Sequence, residues 1–140
     1  MALLAACALG QTHVEYVGGT VAKVESGAGG TIDVGDARYF AFYTKKAQVR
    51  VAYDRINELE YGQKVDRRLL MAVVISPMFL LSKKRKHFLT IEYMDESGGH
   101  QALVFQVDKN GIRAALVSLE ARTGLRIEYQ DEEARKAGRG

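Results

Sequence analysis

The chain has 140 residues, 47% of them hydrophobic and 26% charged, and a formal net charge of +3. This composition excludes a disordered chain, and the length suits one domain whose core needs no metal or disulfide staple. The single cysteine, Cys7, excludes an intrachain disulfide and any cysteine-cluster metal site.

Residues 1–10 are small and apolar, and polarity returns abruptly at Gln11-Thr12-His13. Leu4-Ala5-Ala6-Cys7 resembles a bacterial lipobox, in which Cys7 is the lipidation site and becomes the new N-terminus. Ala6-Cys7-Ala8 equally forms a small-x-small cleavage site. No positive segment precedes this short run, so the other reading is a frayed apolar N-terminus. The expected location is an exported one, periplasmic or membrane-anchored, with the cytoplasmic membrane surface as the alternative.

From His13 the chain reads as short strands punctuated by glycine. Alternating runs at 13–17, 21–25 and 31–34 are each closed by a Gly-containing step. Residues 38–44 are rich in Tyr and Phe and read as a strand, with Lys45-Lys46-Ala47 as its turn. In 49–53, Val49, Val51 and Tyr53 share a face and Arg50 points out. In 56–63, Leu59 and Tyr61 point inward, with Glu58 and Glu60 on the opposite, solvated face. Residues 87–94 place Leu89, Ile91 and Tyr93 inward and Thr90 and Glu92 outward. Asp95 to Gly99 is a hairpin loop, and 101–107 returns with Leu103, Phe105 and Val107 on one face.

Only one segment has helical period. Asp108 caps a helix over about 109–123, in which Ile112, Ala115, Leu116 and Leu119 form one apolar stripe. Arg122 suits the C-terminal dipole, and Gly124 is the left-handed stop. Residues 126–129 can add a last short strand, and 130–140 form a charged tail. The expected domain is thus 11–129.

Between these halves lies an apolar tract, 69–81, flanked by Arg67 and Arg68 on one side and Lys83, Lys84, Arg85 and Lys86 on the other. The basic excess is local: residues 61–100 carry seven Lys/Arg against four Asp/Glu. As a helix, thirteen residues span about 20 Å against a hydrocarbon thickness of about 30 Å, and Ser76-Pro77 breaks the run. The tract therefore forms either two buried core strands or a protruding hairpin. In the hairpin, Met71, Val74, Ile75, Met78 and Phe79 enter a bilayer while the six cations meet anionic headgroups. A protein–protein interface is the third use of these residue types.

Six or seven antiparallel strands followed by one amphipathic helix is the order of a pleckstrin-homology-like (PH-like) domain. The stretches 30–34 (GTIDV) and 51–61 (VAYDRINELEY) resemble bacterial PH-like and GRAM-like domains. The block 82–95, followed by 101–107 and the helix, is similar to small exported uncharacterised bacterial proteins. The resemblance covers about residues 13–129. It implies a mainly β fold, a bent antiparallel sandwich or barrel closed by the C-terminal helix. The lysine and arginine pattern of phosphoinositide-binding PH domains is absent from the first hairpin, where 21–30 offers only Lys23.

No set of residues converges on catalysis. His13, His87 and His100 lack metal-ligand spacing, Glu58 and Glu60 form a strand face, and Asp95 and Glu96 belong to a loop. Gly27, Gly29 and Gly30 lack the lysine and helix start of a phosphate loop. Lys83 to Lys86 beside Phe88 imitates a nucleic-acid patch but has no second aromatic platform. The expectation is a non-enzymatic module without cofactor or metal, whose partner is an anionic membrane surface or a protein. In its membrane form it acts through the apolar hairpin and basic flanks. The alternative is a soluble protein- or peptide-interaction domain that uses the groove beside the helix.

Overall fold

The computed structural model describes residues 11–21, 23–63, 65, 74–75, 87–108 and 111–129. The strands are β1 (Gln11–Gly19), β2 (Ala28–Asp33), β3 (Tyr39–Tyr43), β4 (Gln48–Ala52), β5 (Ile56–Gly62), β6 (Val74–Ile75), β7 (His87–Met94), β8 (His100–Val107) and β9 (Glu128–Tyr129). The helix α1 (Arg113–Thr123) lies between β8 and β9. The described residues are mainly β with one C-terminal helix, as their periodicities predict.

Eight strands follow one path, in the order β4-β3-β2-β1-β8-β7-β5-β9, and β6 pairs with β1 beside it. All ladders are antiparallel except the short β5–β9 pair. β4 and β5 stand far apart along this path, yet only the 3₁₀ turn Tyr53–Arg55 separates them in the chain. The sheet must therefore curl until its two halves meet. Among the described residues no ladder joins β4 to β5, so the sheet is not closed.

The concave side holds the main core. Tyr16, Phe40, Phe42 and Phe105 pack there as an aromatic group, with Phe42 and Phe105 edge-to-face at 4.9 Å. The helix contributes Ala115, Leu116 and Leu119, and Ile112 at its N-cap, all buried. Its stripe supplies a core wall that the curled sheet lacks. At its C-terminus Gly124 adopts φ 75° and its N–H donates to the Glu120 carbonyl at 2.9 Å, the expected left-handed stop.

Four details depart from the sequence reading. The helix begins at Arg113 rather than near 109, because Gly111 and Ile112 first close a turn onto the Asp108 carbonyl at 3.0 and 3.1 Å. Residues 23–25 do not continue a strand from Val21. They form a loop in which Val24 is buried, so its apolar character serves as a plug. Among the described residues the strand count is nine rather than six or seven, since β6 and β9 are two-residue additions. Finally, the second face of the sheet is not wet throughout. Thr90 and Glu60 are buried, and Val17, Val65, Phe88, Ala102 and Val104 form a separate apolar cluster. A bulge delivers Val17 to it: Tyr16 pairs with Phe105 and Gly18 with Val104, leaving Val17 as the extra residue.

Candidate functional site

Among the described residues, a recess lies where the β1–β2 loop meets the β3–β4 turn. The turn is set by Thr44, whose N–H donates to the Ala47 carbonyl at 2.8 Å. The Thr44 Oγ1 accepts the N–H groups of Lys46 and Ala47 at 3.2 and 2.8 Å. With its backbone polar groups paired internally, the turn presents Lys45 and Lys46 to solvent. The facing loop is held by Val24 in the core and by two backbone bonds. Gly27 N–H donates to the Tyr16 carbonyl at 2.6 Å and Ala28 N–H to the Glu25 carbonyl at 3.1 Å. Lys23, next to the Val24 anchor, lines the same recess as the turn.

Between the two lies a cavity of about 450 Å³ whose lining includes His13, Lys23, Glu25, Gly29, Lys45 and Lys46. A Cβ at Gly29 would meet nothing within 4 Å, so the backbone of β2 is open to the cavity there. At Gly30, one residue on, a Cβ would run into the Tyr43 carbonyl and the Phe42 ring. Close packing of β2 on β3 thus depends on glycine at 30. Three lysines against one glutamate leave the lining net cationic. Such a lining suits an anionic group, held by lysine donors from two separate loops. Sequence reading passed over this convergence. Lys45-Lys46 reads as a solvated turn and Lys23 as a lone cation, and only the β2–β3 pairing of Thr31 with Tyr43 brings them together.

The hairpin after β7 is also tightly organised, around Asp95. Its Oδ1 accepts the N–H and hydroxyl of Ser97 at 3.0 and 2.8 Å and the Gly99 N–H at 2.7 Å. Its Oδ2 accepts the Gln101 amide at 2.8 Å. The Ser97 and Gln101 side chains, followed by the Gly99 N–H, hold its carboxyl down at about 2. This carboxylate is a loop clasp.

Of the site residues expected from sequence, Cys7, Arg67, Arg68, Met71, Met78, Phe79, Lys83, Lys84, Arg85 and Lys86 lie outside the described residues. Val74 and Ile75 form β6, whose backbone pairs with Gly19 and Gly18 of β1. The apolar tract therefore contributes at least these two residues to the sheet. His87 is buried and stacks on Tyr61 at 5.5 Å, His100 is exposed, and His13 reaches the cavity. Val117 is the exposed large apolar side chain of the helix.

Glu58 and Glu60 are not a solvated pair, because Glu60 is buried and Glu58 half-buried. The parallel β5–β9 pairing adds Glu128, and the three carboxylates lie within 4.8 Å of one another. Each of the three is engaged by a neighbour. Among the described residues no helix is long and apolar enough to cross a membrane. Comparison with known proteins found no family model that matches the chain and no significant match among curated proteins.

Proposed function

We propose that this chain is a non-enzymatic PH-like module that works at an anionic membrane surface. What carries the reading is the convergence of Lys23, Lys45 and Lys46 on one cavity from two loops at one end of the sheet. The strand order supports the PH-like part of it. Four consecutive strands run β4-β3-β2-β1, three later ones run β8-β7-β5, and the helix follows β8 and fills the core. In this reading Arg67, Arg68, Lys83, Lys84, Arg85 and Lys86 add headgroup contacts. Met71, Met78 and Phe79 supply apolar insertion, and a lipidated Cys7 supplies an anchor of an exported protein. A cation close to an anionic bilayer contributes about 1 kcal/mol, so three cavity lysines alone are enough to measure.

Co-sedimentation with vesicles tests the reading. Vesicles containing phosphatidylserine are expected to pellet the protein, and vesicles of phosphatidylcholine alone are not. Reversing two cavity lysines, Lys45→Glu with Lys46→Glu, is expected to weaken binding by about tenfold or more. Equal binding to both vesicle types, or none to either, would sink the proposal.

A further inference from the structure

β4 is one of the two terminal strands of the sheet path. Its inner edge pairs with β3 from Tyr43 opposite Gln48 to Tyr39 opposite Ala52, and among the described residues no strand pairs with its outer edge. Alongside runs a second cavity, of about 280 Å³. Residues 49–52 of β4 line one side, and the end of β7, with Tyr93 and Met94, lines the other. Three large apolar side chains of the described residues are exposed: Tyr39 at 40%, Met94 at 38% and Val117 at 58%. Two of the three, Tyr39 and Met94, border this one cavity. An unpaired strand edge beside clustered apolar exposure marks an interaction surface.

From these features we propose that the outer edge of β4 receives an extended acidic segment of a partner protein as an added strand. The charge at the edge selects the partner. Lys23, Arg50 and Arg55 line the cavity, with Arg50 held 6.0 Å over the Tyr39 ring and Arg55 donating to the Asp95 carbonyl at 3.0 Å. Two acids, Asp95 and Glu96, share the lip with these three cations, which leaves an excess of one positive charge. The lip is therefore net cationic. A second copy of the chain is a poor occupant. Symmetric antiparallel pairing about the centre of Gln48–Ala52 sets Arg50 directly against its own counterpart, and like charges at that position repel. In an added strand, alternate side chains fall beside exposed Arg50 and beside buried Val49 and Val51. The matching segment alternates acidic and apolar residues.

The test is titration of the full chain with a short labelled peptide alternating glutamate and valine. Saturable binding is expected, weakened by about tenfold or more when lysine replaces glutamate. N-methylation of alternate peptide amides is expected to abolish binding in one phase and spare it in the other, since only one edge of an added strand bonds to β4. Arg50→Glu is expected to weaken the acidic peptide by about tenfold or more with an unchanged melting temperature. Arg50→Gln, a milder change at the same exposed position, is expected to give a smaller loss in the same direction. Four results would overturn the proposal: no saturation by about 1 mM peptide, equal affinity for the acidic and basic peptides, tolerance of N-methylation in both phases, or a dimer of the free chain that Arg50→Glu abolishes.

Discussion

At the scale of single residues, four side chains or positions have consequences that can be measured. Asp95 has its carboxyl held at about 2, against an ordinary 3.8, by donors that exist only in the folded hairpin. A folded value below the unfolded one stabilises the protein above about pH 4 and is lost as pH falls toward 2. Thermal melts from pH 7 to pH 2 are expected to show Asp95→Asn less stable than the parent at neutral pH and equal to it at the acid end. The phenols of Tyr16 and Tyr53 behave in the opposite sense, because burial pushes both up to about 12 from an ordinary 10.0. Their contribution is complete below pH 10 and is lost as pH rises toward 12. Ultraviolet titration is expected to find these two ionising last, together with unfolding. Gly30 offers a steric test: Gly30→Ala puts a methyl against the Tyr43 carbonyl and the Phe42 ring. It is expected to cost about 1–3 kcal/mol in urea unfolding.

At the scale of elements, the helix is the best case of local pattern carrying through to packing. Ile112, Ala115, Leu116 and Leu119 sit at three- and four-residue steps and are all buried in the main core. Leu116→Ala or Leu119→Ala is expected to cost about 2–5 kcal/mol, measured by urea unfolding. Val117→Ala, on the exposed face of the same turn, is expected to change stability by no more than about 0.5 kcal/mol. Arg122 does more at the helix end than complement a dipole. It lies 5.8 Å over the Tyr53 ring and donates to the Gly35 carbonyl at 3.3 Å, tying the helix to the β4–β5 corner and the β2–β3 loop. The loop with Val24 shows the limit of local pattern. Val21, Lys23 and Val24 suit a strand by composition, but burying Val24 from a loop satisfies the same apolar demand.

At the scale of the whole molecule, the curl of the sheet decides what is exposed. β1, β7 and β8 have neighbours on both edges, while β4 and β9 end the path. Native-state hydrogen exchange is expected to be slowest in β1, β7 and β8 and fastest in β4 and β9. Uniform protection across the sheet would contradict the open edge on which strand addition at β4 depends. The same curl sets the β1–β2 loop against the β3–β4 turn, and so creates the lysine-lined cavity. Membrane binding and partner binding then use adjoining recesses that share Lys23.

Alternation and helical period were legible along the chain because each depends on neighbours within a few residues. They located the inward faces of β4, β5, β7 and β8, the stripe of the helix and its stop at Gly124. They also named Lys23, Lys45, Glu58 and Glu60 without saying what each would meet. The fold alone decided that Lys23 lines the same recess as Lys45 and Lys46, that Glu60 is buried beside Glu128, and that Val17 crosses to a second apolar cluster. The physical reason is that periodicity shows which face of a strand is apolar. What covers the other face, and which distant loop lies beside it, depends on register between segments far apart in sequence.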